Sequence, residues 1–477
     1  MNKTNFKFLK TPWFWFFLSL VFRFGLLVWN IHLELPPSWQ YVSWTSLYYG
    51  NMLCGHPMAD MEKIVNLNAT FLHEDKGLAY LHYFLCSISG QSSFLKQQIL
   101  QIFLDSSVVY ALWSIAGKIT TRVNVPTYSA ALYSIFLPSI YAALNPIWYT
   151  YTIFGVTHAC ALILSSEKKQ PVLLILLRYF SAFALLIMAS QCRATNAILM
   201  IFVAGVLLFL SVVFSRLKMQ RRAFGILALG ICVFLGNAVT NKITSKGTQI
   251  MRSHYAAAFW DGMGEMSNPY GVVGTDSGIG DFFYANNPDA PKGLDLYSPQ
   301  VNAWLEKKMF ETIVSNPALV MKKYLHSFLN AIFPNIRFSF IADLESYNEY
   351  EGKVLGSREN RLQMLSQKNI QGLIATYPRF AFEYFLRILV MAFFPMGLIC
   401  YFIFARVKFE NLFCLAVVLY PCMFLTILRL PVFDHAAIWV VALPMCLDGF
   451  LNLFDWIMVK VKGRRVPALQ SSLMADV

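Results

Sequence analysis

Residues 178–222 read RYFSAFALLIMASQCRATNAILMIFVAGVLLFLSVVFSRLKMQRR: two apolar runs, 178–191 and 194–214, meet at the polar string QCRATN and end in a basic cluster. A run of about 20 apolar residues rising about 1.5 Å each is what crosses roughly 30 Å of hydrocarbon. Working outward from this pair, the same reading gives further spans near 12–30, 98–117, 127–144, 147–164, 223–240, 380–404, 410–428 and 434–456. The chain is expected to be an all-α polytopic membrane protein with about ten transmembrane helices and two large outer-face loops containing short helices.

Composition agrees. Of 477 residues, 57% are hydrophobic and 14% charged, against about 45–50% and about 25% in an ordinary soluble protein. That excludes a soluble enzyme and a disordered chain. The net charge of +13 does not signal nucleic acid, because the basic residues gather in short clusters at the ends of apolar runs. With the amino terminus inside, the inner segments hold Lys3, Lys7 and Lys10; Lys118 and Arg122; Lys168 and Lys169; Arg216, Lys218, Arg221 and Arg222; Arg406 and Lys408; and Lys460, Lys462, Arg464 and Arg465. The short outer turns hold only Arg193 and Arg429. This bias places both termini in the cytoplasm. Trp13 to Val28 has no small-residue cleavage site after it and reads as a retained first span, not a signal peptide.

Three regions follow: a transmembrane catalytic half over 1–240 with a first outer loop at 31–97, an extracytoplasmic region over 241–379, and C-terminal spans with a cytoplasmic tail over 380–477. In the first loop Leu78 to Ile88 is apolar but too short to span, and reads as a re-entrant or interfacial helix. In the second, Ser298–Pro299 and Asn316–Pro317 each set an N-cap before a helix-opening proline, predicting helices over about 299–314 and 317–333. The stretch 254–297, rich in Gly, Asn, Asp and Pro, reads as irregular backbone. Nine scattered cysteines show neither CxxC nor His-Cys spacing, so no zinc site and no disulfide framework is expected, and most are read as small apolar fillers.

Chemistry is sought in the loops. Glu34 lies just beyond the first span, where nearby apolar surface raises a carboxylate toward the range of a general base. His73, Glu74, Asp75 and Lys76 bring acid and base groups to one point before the re-entrant patch, where Lys and His suit phosphoryl oxygens. Arg193 stands alone in its outer turn and suits a lipid phosphate, or it anchors the helix by snorkelling. Arg23 and Asp105 are costly inside spans and are expected to face the bundle interior, where they can pair with each other; His158 is expected to be a satisfied core histidine. In FWDGMGEMSNPYG, residues 259–271, Trp260 and Tyr270 can stack on a sugar face while Asp261 or Glu265 accepts hydroxyl hydrogens; the same string also reads as a folded loop. The absence of GxxxxGK[ST] and GxGxxG leaves no self-contained ATPase or Rossmann nucleotide-sugar domain visible, so a donor carried by a lipid is the natural source of energy.

Four strings, SWQYVSWTSLYYG (38–50), KGLAYLHYFLCSISGQSSFLKQQILQIFLDSSVVYALWSIAGKI (76–119), NPIWYTYTIFGVTHACALIL (145–164) and FALLIMASQCRATNAILMI (183–201), resemble the C-type polytopic glycosyltransferase superfamily, specifically relatives of protein O-mannosyltransferases and lipid A aminoarabinose transferases. FWDGMGEMSNPYG and PVFDHAAIWVVALPM look similar to bacterial members. The resemblance implies transfer of a sugar from a polyprenyl-phosphate donor to a glycan, lipid or protein acceptor on the outer face, with membrane lipids and no nucleic acid among its partners. It implies a bacterial inner membrane; an endoplasmic reticulum membrane is the alternative. No cofactor and no metal site is expected. The family's first-loop aspartate is missing before Tyr41, where residues 36–40 read PPSWQ, and Glu34 is the nearest carboxylate. His158 stands where an acidic residue is often found, and Ala436 or Ala437 replaces the usual arginine, whereas Arg193 matches the family's turn after span five. The assignment is therefore Glu34, Glu74 and Asp75 as catalytic carboxylates; Arg193, Lys76 and His73 on the lipid phosphate; and Trp260, Asp261, Glu265 and Tyr270 at the acceptor or sugar. A transporter or flippase of lipid-linked sugars and an inactive lipid-binding relative are the alternatives.

Overall fold

The computed structural model describes residues 8–32, 40–56, 76–145, 149–166, 170–213, 219–244, 255–274, 276–291, 294, 298–332, 364, 367, 369–376, 378–404, 408–423 and 439–461. Among them the chain is helical, with no strand. In order the helices are α1 (Pro12–His32), α2 (Gln40–Leu53), α3 (Lys76–Ser89), α4 (Phe94–Ile119), α5 (Val125–Ser134), α6 (Leu137–Leu144), α7 (Tyr149–Leu164), α8 (Val172–Cys192), α9 (Leu199–Val213), α10 (Gln220–Thr244), α11 (Tyr255–Gly264), α12 (Asp276–Asn286), α13 (Pro299–Ser315), α14 (Pro317–Ile332), α15 (Ile370–Thr376), α16 (Pro378–Phe404), α17 (Phe409–Met423) and α18 (Leu443–Val461).

Among the described residues six helical stretches are long and apolar enough to cross a membrane: Pro12–His32, Phe94–Ile119, Val172–Cys192, Thr195–Val213, Gln220–Thr240 and Val440–Lys460. The apolar helices Tyr149–Leu164, Ala392–Phe404 and Phe409–Met423 are shorter. Large apolar side chains on their outer faces, among them Phe17, Val28, Leu176, Phe180, Phe209, Val212 and Leu235, are exposed. Such a surface is consistent with an integral membrane protein, whose hydrocarbon surroundings cover it.

Three boundaries differ from the sequence reading. The expected span 127–144 is two short helices, because Pro138 suits a helix start and disfavours continuation through the residue before it; α5 ends at Ser134 and α6 opens at Leu137. The expected span 178–191 is longer: α8 begins at Val172, and Arg178 reaches back to donate to the Ser165 carbonyl and, at 2.6 Å, to Gln170 Oε1. The stretch 254–297 is not all irregular, since α11 and α12 form within it around buried Phe259, Trp260, Met263, Ile279, Phe282 and Phe283. The prolines behave as expected: Ser298 Oγ caps α13 through Val301 N at 3.4 Å, and Asn316 Oδ1 accepts from Leu319 N at 3.3 Å.

The bundle interior is held at one charged point. Arg23 Nε donates to Asp105 Oδ2 at 2.5 Å, Nη1 donates to Ser19 Oγ at 2.6 Å and Ser134 O at 3.1 Å, and Nη2 donates to Ser139 Oγ at 2.8 Å. Tyr133 Oη donates to the other Asp105 oxygen at 2.7 Å. Arg23 and Asp105 are fully buried. The pairs Ser19–Ser106 and Arg23–Asp105, with Leu27 and Ile102 in one apolar cluster, run α1 antiparallel to α4. Asp105→Ala is expected to cost about 3–5 kcal/mol by leaving a buried guanidinium uncompensated, whereas Arg23→Met with Asp105→Leu restores most of the loss. Thermal unfolding of the three proteins in one detergent checks it.

Candidate functional site

The end of α1, the start of α4 and α3 gather at one end of the bundle. α3 lies on α2 at Gly50, where a Cβ would sit 2.3 Å from His82 Cβ and 2.6 Å from the Ala79 carbonyl. Its first turn lies on the chain end of α8 at Gly77, where a Cβ would meet Gln191 C at 2.7 Å and Cys192 N at 2.8 Å. Only glycine permits either approach. The loop between α3 and α4 is tied to α2, since Ser92 N donates to Asn51 Oδ1 at 2.7 Å and Asn51 Nδ2 donates to Ser92 O at 3.2 Å. Lys96 Nζ covers the end of α3 through Ser89 O at 2.9 Å and Gln91 O at 2.6 Å.

This packing seats Lys76, the first residue of α3, beside the turn that carries Arg193. Arg193 is half-buried, and its extended backbone (φ −149°, ψ 106°) closes α8 by donating its N–H to Ala189 O at 2.9 Å. Asn196 fixes the turn against α7 through Thr152 Oγ1 at 3.2 Å and Ala189 O at 3.1 Å. Of the residues expected at a phosphate, Lys76 and Arg193 thus lie near each other along the backbone. Glu34, His73, Glu74 and Asp75 lie outside the described residues.

Beside them stands a buried group of uncharged polar side chains that periodicity did not single out. Gln97 of α4 adjoins both His82 of α3 and Tyr151 of α7, and Tyr151 adjoins Cys192, the neighbour of Arg193. His82 Nδ1 pairs with Ser92 Oγ at 2.8 Å. His82 Nε2, the Gln97 amide and the Tyr151 hydroxyl have no well-aligned hydrogen-bond partner among the described residues. The signal in the sequence is polar residues at buried helical positions near span ends.

Cys54 and Cys86 form a disulfide between the end of α2 and α3. This corrects the reading of all nine cysteines as lacking a disulfide framework. A pairing across 32 residues leaves no spacing signature, and only the α2–α3 packing brings the two together.

The opposite end of the bundle is arranged differently. A cavity of about 340 Å³ there is lined by Thr120, Arg122, Lys408, Asp448 and Asn452 among others. Arg122 is committed to Asp448 at 3.3 Å, Asp455 at 2.8 Å and Asn452 Oδ1 at 2.7 Å. Arg23 and Asp105 pair as expected, and His158 is a satisfied histidine, with Nδ1 on Phe154 O at 3.0 Å and Nε2 at 3.4 Å from Ser107 Oγ.

The helices α11 to α14 form a second apolar core. Trp260 is fully buried in it, with its indole N–H donated to Leu305 O at 3.1 Å and its ring against Tyr270 and Phe282; in this arrangement the indole packs and offers no face to a ligand. Tyr270 is half-buried, Asp261 is buried, and Glu265 reaches solvent. Asn268 holds the intervening loop through Met263 O, Met266 O and Val272 O. Lys323 of α14, absent from the sequence reading, is fully buried, with its amine 4.9 Å above the Phe259 ring. Burial pushes its amine from the ordinary 10.5 down to about 7, against the opposing charge of Glu265. Desolvation raises the Glu265 carboxyl, opposed by Lys323. Lys323 lies on the buried stripe Leu319, Lys323, Ser327, which no apolar pattern distinguishes.

No family model matches the chain, and no curated protein matches it.

Two outcomes are expected. Gly77→Val should lower thermal stability by the equivalent of about 1–3 kcal/mol, since the added side chain overpacks backbone. For Lys323, the unfolded chain holds a proton that the fold lacks between about pH 7 and 10.5, so this group's contribution to stability rises with pH across that window. Lys323→Met should therefore exceed the wild type in melting temperature most at pH 6–7, with the gap closing toward about pH 10. Parallel thermal melts across that range measure it.

Proposed function

We propose that the chain is an inverting membrane glycosyltransferase that moves a sugar from a polyprenyl-phosphate carrier to an acceptor hydroxyl on the extracytoplasmic face. The observation that carries this reading is the seating of Lys76 beside the Arg193 turn, through Gly77, at the bundle end toward which α1 runs. Glu34 follows His32, the last residue of α1, by two residues in the sequence. In this reading all ten sequence spans cross the membrane, both termini are cytoplasmic, and a bacterial inner membrane is the setting. The disulfide supports the outward placement of α2 and α3, since such bonds persist in oxidising compartments.

In the proposed reaction Glu34 takes the proton of the acceptor hydroxyl as its oxygen attacks the anomeric carbon. The bond from that carbon to the phosphate oxygen breaks, and the electron pair leaves with the polyprenyl phosphate. Arg193 and Lys76, with His73 nearby in sequence, stabilise the charge that develops there, which is the larger catalytic term. Glu74 and Asp75 adjoin Lys76 and orient it or serve as a second acid. His82, Gln97 and Tyr151 supply uncharged donors and acceptors suited to hydroxyl groups. Asp261, Glu265 and Tyr270 remain the proposed acceptor contacts, with Trp260 as the core that holds them.

A transport reading gains less. Arg23 and Asp105, its intramembrane candidates, are sealed together and satisfied by the four neighbours Ser19, Tyr133, Ser134 and Ser139, so they line no path.

Thermal stability in nanodiscs, with a polyprenyl phosphate titrated against a phospholipid of equal charge, tests the carrier site. At about 100 times its dissociation constant the carrier should add roughly 2.7 kcal/mol, and Arg193→Ala should abolish the specific increment. Transfer by Glu34→Gln should fall by about 10² or more. A carrier with no specific increment, or unchanged transfer by Glu34→Gln, removes the corresponding part of the mechanism.

A further inference from the structure

We propose that Cys54, His56 and Cys86 form, in the dithiol state, a three-ligand site for a zinc-class divalent cation, and that the disulfide is the closed state of the same site. The two sulfurs and a ring nitrogen of His56 lie within 4.8 Å of one another. Ligands at about 2.3 Å (sulfur) and about 2.0 Å (nitrogen) around a tetrahedral ion stand roughly 3.6 Å apart. Breaking the bond lets the two sulfurs part to that spacing by side-chain rotation, chiefly of Cys54, and rotation of the His56 side chain brings its nitrogen to the same centre. His56 is exposed and free to turn, whereas Cys86 is held on a buried face.

The backbone builds this arrangement. α2 ends at Leu53, Gly55 takes φ +83°, and His56 N donates to Asn51 O at 3.0 Å, which folds the chain back over the end of α2. A residue other than glycine would resist that turn. Asn51 is fully buried and tied to Ser92, and Gly50 locks α2 on α3 beside it. The two cysteines therefore face each other across a rigid helix pair. A disulfide staple alone does not need the imidazole brought back to it. Two thiolates and one imidazole are a borderline-soft donor set, three protein ligands leave a fourth position for water, and the exposed side of His56 is the route in.

Interconversion balances simply. A trialkylphosphine and one water break the S–S bond, giving two thiols and the phosphine oxide; a dithiol reductant does the same as it closes its own disulfide. Zinc then displaces two protons as both thiolates bind, so affinity rises with pH until the thiols are ionised. Oxidation by an acceptor of two electrons, such as a quinone or a disulfide, expels the ion and re-forms the bond. This proposal is independent of the glycosyltransferase reading.

The test uses the full chain in detergent, before and after phosphine reduction. Zinc per protein is measured after gel filtration, with affinity from competition against a chromophoric chelator and cobalt as a probe of thiolate charge-transfer absorption. The reduced wild type should retain one zinc and give the thiolate band, and the oxidised protein should retain none. Cys54→Ser and Cys86→Ser should lose the stoichiometric ion. His56→Ala, which keeps the disulfide and with it the folding of the oxidised protein, should bind at least about tenfold more weakly once reduced. No stoichiometric zinc in the reduced wild type overturns the proposal. So does equal binding by His56→Ala, or equal binding by the cysteine variants, which would assign the ion to other cysteines such as the exposed Cys232.

Discussion

The fully buried pair Arg23–Asp105 sets the register on which the rest of the bundle depends. Two opposite charges in such surroundings are tolerable only when each lone pair and N–H is matched, and here Ser19, Tyr133, Ser134 and Ser139 complete the set. Those partners come from α1, α5 and the start of α6, while Asp105 comes from α4, so one network joins four helices. A slip of α1 by one turn, about 5.4 Å, would strand both charges. Apolar contacts alone have no such preference, because Leu27 against Ile102 or against a neighbour one turn away buries similar area. The register in turn sets which end of α1 adjoins the Gln97 end of α4.

From that end the structure is built by close backbone approach. α3 has 14 residues, about 21 Å of helix, too short to span. A short helix at an interface gains little from the hydrophobic effect, and its position is set by fit. Gly50 and Gly77 provide the fit on two sides, the Cys54–Cys86 bond fixes the first of them, and Lys96 closes the end. The same contacts that immobilise α3 set its first turn beside the end of α8, next to the Arg193 turn. Stability and the proposed chemistry therefore share one set of small residues, and enlarging any of them disturbs both.

Features written in local sequence were legible, and features made by distant contacts were not. Apolar runs gave most of the long helices, and Ser298–Pro299 and Asn316–Pro317 gave α13 and α14 nearly to the residue because caps act within one turn. The pairing of Arg23 with Asp105 followed from the cost of leaving either alone in hydrocarbon. The break at 135–136 lay in an apolar run whose hydropathy hides Pro138. The helices α11 and α12 lay in a glycine- and asparagine-rich stretch where local propensity argues for loop, and burial of Phe259, Trp260 and Phe282 outweighed it. Of the proposed site, Arg193 was legible as an isolated charge in a turn. Its neighbours Gln97 and Tyr151, the cysteine bond and Lys323 were not, since each derives its character from a residue far along the chain.

Lys323 shows that burial, not composition, sets the character of a side chain in the second core. Lys322 and Lys323 are adjacent and identical in sequence terms, yet Lys322 is exposed and Lys323 is enclosed above Phe259. The enclosed amine loses its proton near neutrality because burial above Phe259 leaves its charge poorly solvated, and the opposing charge of Glu265 only partly offsets that cost. One residue type thus has opposite character at two adjacent positions of α14, set by which side of the helix packs over Phe259.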